Sequence, residues 1–289
     1  MIRTLLVTSR PLSWVNTAYP FAAAFLLATG RLDALGIATL VVGTVFFLVP
    51  YNLAMYGIND VFDYASDARN PRKGGVEGGL LAPARHRATL WTASLLPVPF
   101  VVYLVVAGSW VSDLVLLISL FAVVAYSVAG LRFKERPFLD SLTSSTHFVS
   151  PAVFGIALAG ASPTWPLVAL LAGYFLWGCA SHAFGAVQDI EADRDAGIGS
   201  VATVIGARAT VRVALVLYLL AGVLLLATPW PGPLGALLVL PYAANVAPWW
   251  SVPDAATAGA NRGWRRFLGI NYVTGFLVTL LLIWWALIR

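Results

Sequence analysis

Two short acidic segments carry most of the chemistry that this sequence could perform. The first reads NDVFDYASD over residues 59–67, and the second reads DIEADRD over residues 189–195. Together they hold seven of the 13 acidic residues in the chain. One acidic turn is usually a solvated helix end, but two such clusters in a chain with so few acids indicate binding sites.

Helical spacing predicts that the acids of each segment share one face. Asp60, Asp63 and Asp67 fall on one side of a helix, and Asp189 and Asp193 lie one turn apart. Such carboxylates repel one another unless a multivalent cation neutralises them. Oxygen ligands suit Mg²⁺, which commonly bridges to substrate phosphates. The predicted Mg²⁺ ligands are Asn59, Asp60, Asp63, Asp67, Asp189 and Asp193.

Basic residues and glycines lie in the loops beside these acids. Both lysines of the chain are found there, Lys73 in the glycine-rich loop 70–79 and Lys134 after the fourth predicted helix. Glycines let backbone amides approach an anion closely. A basic loop alone is more simply a signal of membrane topology, but beside two Mg²⁺-type clusters it predicts diphosphate binding. The same two loops also carry Arg72 and Arg132.

The composition places these motifs in a membrane protein. Apolar residues make up 60% of the chain, charged residues only 11%, and the mean hydropathy is +0.83. The net charge of +5 does not indicate nucleic-acid binding, because basic residues of membrane chains gather in cytoplasmic loops. The lone Cys179 lies among small residues in an apolar run, which favours a packing role.

The fold class predicted from these runs is all-α, with nine transmembrane helices around a central cavity in one domain, residues 1–289. With the N-terminus in the cytoplasm and the C-terminus outside, 16 of the 18 basic residues fall on the cytoplasmic side. The predicted helices lie near residues 12–29, 34–58, 89–107, 112–131, 141–160, 165–187, 207–227, 232–250 and 267–288.

The loops of the predicted helices indicate an internal repeat. Acidic clusters follow helices 2 and 6, whereas basic clusters follow helices 4 and 8, an offset of four in both cases. An even offset preserves orientation, so a parallel four-helix repeat plus one helix would direct both acidic clusters to one cytoplasmic mouth. The predicted active-site loops are about 59–88, 131–140, 188–206 and 251–266.

These motifs resemble the UbiA superfamily of intramembrane prenyltransferases over essentially the whole chain. The family's Asn-Asp-x-x-Asp-x-x-x-Asp and Asp-x-x-x-Asp motifs match residues 59–67 and 189–193, and its Tyr-Ser pair matches Tyr126 and Ser127. Arg10-Pro11 and the deeper Asn16 are similar to the start of its first helix. Loop 70–79 reads NPRKGGVEGG instead of the Arg- and Pro-rich stretch of many members, and so resembles the lycopene elongase branch of carotenoid pathways.

The resemblance implies Mg²⁺-dependent transfer of an allylic C5 group from dimethylallyl diphosphate to the end of a polyene such as lycopene, with release of diphosphate. His182 lies seven residues before Asp189 and so shares its helical face, and Asn52 has the same relation to Asn59. This spacing leaves two roles open for His182, in the cavity or as a hydrogen-bonded core residue. The base is left open, and the second Asp motif could supply it. The expected catalytic residues are Asp60, Asp63, Asp189, Asp193, Lys73 and Tyr126, and the expected substrate-binding residues are Asn16, Asn52, Asn59, Arg72, Lys73, Arg132, Lys134 and His182.

Other functions remain open at the level of sequence. The acceptor could instead be an aromatic quinone precursor or another lipid. A secondary transporter with parallel repeats could also have nine helices, but transporters place ionisable residues near the bilayer midplane rather than at helix ends. No metal-ligand spacing links the histidines, so zinc is not expected.

Overall fold

The computed structural model describes residues 1–30, 32–68 and 80–289, except for the side chains of Ser66 and Asp67. Within these residues the chain is helical throughout, with short 3₁₀ segments and no β-strand, so the predicted all-α class is confirmed. The α-helices are α1 (Ile2–Thr8), α2 (Val15–Thr29), α3 (Ala34–Leu48), α4 (Pro50–Phe62), α5 (Tyr64–Asp67), α6 (His86–Leu95), α7 (Val98–Ala107), α8 (Trp110–Ser127), α9 (Leu139–Leu158), α10 (Trp165–Val187), α11 (Ile190–Asp195), α12 (Val201–Leu225), α13 (Leu240–Val246) and α14 (Asn261–Ile288).

Six helical segments in the described part of the chain are long and apolar enough to cross a bilayer, as expected for a multi-pass membrane protein. The nine-helix count stays a prediction, because three of the predicted spans do not reach this standard. Helix α2 has only 15 residues, α9 carries many polar residues, and the range 232–250 is split between 3₁₀ turns and the seven-residue α13. The six segments are Ala34–Phe62, Pro83–Ala107, Trp110–Ser127, Trp165–Val187, Val201–Leu225 and Asp254–Ile288.

Predicted helix 34–58 is broken in the structure. Pro50 has no N–H to donate, so α3 ends at Leu48 and α4 begins at Pro50. The break leaves carbonyl groups of α3 without partners in their own helix. The side-chain amide of Asn52 donates to one of them, Phe47 O, at 2.7 Å, and to Thr17 Oγ1 at 2.7 Å. One polar side chain therefore joins α3, α4 and α2.

The chain divides into two compact units. The first unit comprises residues 1–133 and 146–162, and its core is built from aromatic rings. Phe21 lies 5.2 Å from Phe47 between ring centroids and 5.9 Å from Phe154. Close packing of backbone on backbone also occurs, since a Cβ on Gly155 would lie 2.8 Å from the carbonyl oxygen of Phe21.

The second unit comprises residues 134–145 and 163–289. Helices α10 and α12 pack along each other, and their core includes Tyr218 and Tyr242, whose rings stack at 5.3 Å. Helix α12 is interrupted at Gly206, which adopts φ 78° and ψ 164°. A positive φ is strained for residues with a side chain, so glycine allows the break. The predicted four-helix repeat and the single domain stay predictions.

Candidate active site

The first Asp motif lies at the end of α4. Asn59 and Asp60 occupy its last turn, Asp63 caps its C-terminus, and α5 begins at the next residue. Helix α4 ends at Phe62, so Asp60 and Asp67 belong to two successive helices. The predicted common face of Asp60, Asp63 and Asp67 stays a prediction, because the side chain of Asp67 lies outside the described residues. Carboxylates at a helix C-terminus meet the negative end of the helix dipole, so this position favours cation binding.

Asp60 is paired with an arginine from the start of the chain. Its carboxylate is 4% exposed, and its Oδ1 lies 2.8 Å from Nη2 of Arg10. The guanidinium of Arg10 also lies over the ring of Tyr56, 4.3 Å from the centroid. The guanidinium of Arg10 therefore contacts the first Asp motif, although it lies 50 residues before Asp60 in the sequence.

Asp63 is equally buried, at 4% exposure, and it contacts Asn59 and Arg132. Asn59 donates its side-chain amide to Asp63 and also to Oγ of Ser127, the latter at 3.2 Å. Nη2 of Arg132 lies 3.5 Å from Asp63 Oδ1. Asn59, Asp63 and Arg132 are therefore brought together, as predicted for a metal–diphosphate site.

The remaining predicted residues of the first unit lie in different surroundings. Tyr126 is half-buried in the last turn of α8, and its ring edge contacts His147 at 5.2 Å. Asn16 is exposed on α2. Asn52 is fully buried, and its amide is used at the helix break, which favours a structural role over the predicted substrate contact.

The second Asp motif lies beyond the end of α10. Asp189 precedes α11, and the backbone N–H of Asp193 donates to Asp189 O at 2.8 Å, which confirms their one-turn spacing. Both side chains are half-buried, whereas Glu191 and Asp195 are exposed. Because α10 ends at Val187, His182 and Asp189 do not share one continuous helix, in contrast to the prediction.

An ion pair attaches the second motif to the following elements. Arg194 of α11 lies 2.8 Å from Asp254 Oδ2 through Nη1, and donates to Thr203 O at 2.9 Å. The other oxygen of Asp254 accepts the backbone N–H of Ala207 at 2.7 Å, immediately after the break at Gly206. The broken helix α12 and the carboxylate of Asp254 thus hold the short α11 in place.

His182 and Lys134 lie in the second unit. Nδ1 of His182 is 3.2 Å from Oγ of Ser141, and Lys134 is half-buried in the 3₁₀ turn Phe133–Glu135. The neighbouring Asp140 is fully buried and accepts the backbone N–H of Val201 at 2.8 Å, so this acid anchors the start of α12. Arg72 and Lys73 lie outside the described residues, as does the side chain of Asp67.

The donor set of the first motif fits Mg²⁺ better than zinc. In the described ranges, no three His, Cys, Asp or Glu side chains are grouped closely enough to hold a metal by themselves. Structural zinc needs four protein ligands, whereas Mg²⁺ keeps several waters and needs only one or two carboxylates plus substrate phosphates. Asp60, Asp63 and Asn59 supply oxygen donors of the latter kind.

Two residues that contact the first motif, Arg10 and Ser127, are absent from the residues predicted for the site. Arg10 was noted only as part of the resemblance at helix 1, and Ser127 only as part of the Tyr-Ser pair. Arg10 is 50 residues from Asp60, and Ser127 is 68 residues from Asn59. The signals that could have identified them were a basic residue directly before Pro11 and a small hydroxyl residue at the end of an apolar helix.

Comparisons with known proteins identify the family to which the chain is similar. The model of the UbiA prenyltransferase family matches residues 17–268. The chain is 57% identical over 289 residues, all of its length, to the C(50) beta-cyclic carotenoids biosynthesis protein LbtBC of Dietzia sp. (strain CQ4), but spans only 66% of that relative. It is also 52% identical over 282 residues to a lycopene elongase/hydratase of Corynebacterium glutamicum. That match covers 98% of this chain and 97% of the relative.

A solved structure shares the fold. A UbiA homolog from Archaeoglobus fulgidus, determined with bound DMAPP and Mg²⁺, superposes with a TM-score of 0.68. The match covers 94% of this chain and 98% of that structure at 19% sequence identity. Identity at this level shows a common fold for the two proteins.

Proposed function

Since the chain belongs to the UbiA prenyltransferase family, we propose that it transfers a C5 allylic group from dimethylallyl diphosphate to the end of lycopene in a Mg²⁺-dependent reaction. The observation that carries this proposal is the 52% identity, over 98% of the chain, to a lycopene elongase/hydratase of nearly the same length. The alternative acceptors are an aromatic quinone precursor or another lipid.

The first motif supplies the groups that this reaction needs. Asn59, Asp60 and Asp63 would hold Mg²⁺ in the first unit, and Asp189 and Asp193 would hold it in the second. Bound Mg²⁺ supplies positive charge that makes diphosphate a better leaving group.

Arg132, which already lies 3.5 Å from Asp63, would bind the departing diphosphate. Lys134 is a second predicted cation, and Lys73 and Arg72 belong to the same proposal.

The carbon chemistry determines what the rest of the protein must do. The allylic carbon–oxygen bond breaks, and the terminal double bond of lycopene forms a new carbon–carbon bond to the C5 unit. A tertiary cation remains, which loses a proton or takes up water with loss of a proton. Because a polyene carries no charge, its recognition depends on apolar surface, and it would enter sideways from the bilayer into an apolar groove between helices.

The proposal is tested by expression in a bacterial host that makes lycopene. We expect C45 and C50 carotenoids in the extracted pigments, with added hydroxyl groups if water captures the cation and without them if a proton is lost. The matched control is the Asp63→Asn protein expressed at the same level. Unchanged lycopene together with prenylation of a quinone precursor or a lipid would overturn the acceptor assignment.

The orientation of the chain is part of the proposal. The positive-inside distribution of basic residues supports a cytoplasmic side for the N-terminus and both Asp motifs and an outer side for the C-terminus. With the single buried Cys179 replaced by alanine, a cysteine at Ala196 should react only with reagents on the cytoplasmic side. A cysteine at Ser162 should react only from outside. Labelling of both positions from one side would exclude the predicted topology.

A further inference from the structure

Arg10 has a place in the first Asp motif that no comparison assigns to it. We infer that Arg10 competes with the divalent cation for Asp60 and, once displaced from that carboxylate, binds the diphosphate as an additional ligand. The inference rests on the proposed function, because it requires that the first motif binds a metal and a diphosphate.

The backbone and the side chain of Arg10 are both constrained. The residue adopts φ 51° and ψ 74°, a left-handed conformation that is uncommon outside glycine. It lies in the connection between α1 and the 3₁₀ turn Pro11–Ser13. Its guanidinium is fixed from two directions, by Asp60 at 2.8 Å and by the ring of Tyr56 at 4.3 Å. Residues held in strained conformations by several contacts are concentrated at functional sites.

The hydrogen bonds of Arg10 leave one buried donor unused. A guanidinium has five N–H donors in a rigid fork, and Nη2 donates to Asp60. The Nε atom of Arg10 is buried and has no hydrogen-bond acceptor among the described residues. Buried donors are normally satisfied, and an arginine fork suits the paired oxygens of a phosphate. The unused N–H beside a metal-binding motif therefore points to an anionic ligand.

The position of Arg10 also makes it compete with the metal for Asp60. The oxygen that it contacts, Asp60 Oδ1, is one of the proposed metal ligands. A divalent cation at this oxygen repels the guanidinium, because the two positive charges would share one buried carboxylate. Removal of the arginine should therefore favour the metal alone and disfavour the diphosphate. A residue that merely supports the fold would weaken both.

The test measures two affinities in the purified full-length protein. Mn²⁺ binding is followed by electron paramagnetic resonance, first alone and then with inorganic pyrophosphate at saturating Mn²⁺. For Arg10→Gln we expect Mn²⁺ alone to bind about fivefold more tightly. Pyrophosphate should bind roughly tenfold more weakly, because a charge-assisted bidentate contact is lost. Arg10→Lys, which keeps the charge but not the fork, should bind Mn²⁺ like the wild type and pyrophosphate with intermediate affinity.

Arg3→Gln is the matched control, since Arg3 is exposed on α1 and lies in the same N-terminal segment. Opposite shifts of the two affinities in Arg10→Gln, with neither shift in Arg3→Gln, support the inference. Parallel weakening of both, or affinities equal to those of the control, overturn it while the proposed function stands. A wild-type protein that binds neither Mn²⁺ nor pyrophosphate overturns both.

Discussion

The two Asp motifs occupy similar places in their helices but different surroundings. Each lies where a long helix ends and a short helix begins, at α4 and α5 in the first unit and at α10 and α11 in the second. In the first motif, Asp60 and Asp63 are both 4% exposed, and each pairs with an arginine. In the second, Asp189 and Asp193 are half-buried, and the arginine of the motif pairs with Asp254 instead.

This difference indicates how each motif is held. The first motif has guanidinium groups beside its carboxylates, so a metal at the proposed site would compete with them, and the proposed diphosphate could bind to them. The second motif is positioned by its backbone and by the attachment of α11 to α12 and Asp254. Similar acidic spacing in a sequence can therefore produce two sites with different electrostatics.

The largest expected effect is loss of activity in Asp63→Asn. This change keeps the size of the side chain but removes a charge that the metal requires, so turnover should fall about a thousandfold. Asp33→Asn is the matched control, because Asp33 caps α3 by accepting Gly36 N at 2.7 Å and asparagine retains a capping oxygen. Product formation by purified protein is measured, with and without EDTA. Substantial turnover in Asp63→Asn or in EDTA would contradict the metal assignment.

A smaller loss is expected for Asp189→Asn in the second motif. We expect turnover to fall roughly a hundredfold, because one charged metal ligand is lost from a more exposed site. Asp195→Asn changes an exposed acid at the end of α11, the short helix that follows Asp189, and should leave activity near the wild-type value. The two proteins are compared by steady-state assay at saturating Mg²⁺. Equal activities of the two variants would remove the second motif from the site.

The attachment of α11 should have a moderate effect. Arg194→Gln and Asp254→Asn each break the 2.8 Å ion pair, and each should lower activity about fivefold by misplacing Asp189 and Asp193. The double variant should resemble the single ones, because partners in one pair show non-additive effects. Glu191→Gln, an exposed change on α11, is the control. If the loss of activity in the double variant equalled the product of the two single losses, the two residues would act independently.

The smallest effect on catalysis is expected for Asn52→Ala. The amide of Asn52 bonds to Phe47 O and Thr17, so its loss should lower the free energy of unfolding by about 1–3 kcal/mol. Activity per folded molecule should change little. Asn245→Ala is a matched change in the second unit, where the amide of Asn245 donates to Gly263 O at 2.9 Å. A raised KM in Asn52→Ala with unchanged thermal stability would restore the predicted substrate role.

The sequence was sufficient to predict the helical class, the membrane location and the grouping of Asn59, Asp63 and Arg132. These features follow from long apolar runs and from scarce charges, which few other arrangements can accommodate. The bounds of α10 were also predicted correctly, because Pro163 lies just before the helix, Pro166 lies in its first turn and an acidic segment follows its end.

Helix breaks and distant partners were harder to predict. Hydrophobic periodicity does not report local backbone geometry. It therefore did not predict the end of α4 at Phe62, the break before Pro50 or the interruption at Gly206. The pairing of Arg10 with Asp60 depends on how α1 packs against α4, which spacing along the chain does not contain. The helix that carries Asn52 was predicted. The hydrogen bonds of the Asn52 side chain at the break between α3 and α4 were not, because periodicity does not reveal that break.

The most direct test of the account is a reaction of purified protein in lipid vesicles that contain lycopene, with Mg²⁺ and dimethylallyl diphosphate added. Carotenoids are analysed by mass spectrometry, and released diphosphate is measured in the same samples. We predict one diphosphate released for each C5 unit gained, with C45 before C50, and neither product with Asp63→Asn. Release of diphosphate without elongation of lycopene, or elongation that persists in EDTA, would contradict the account.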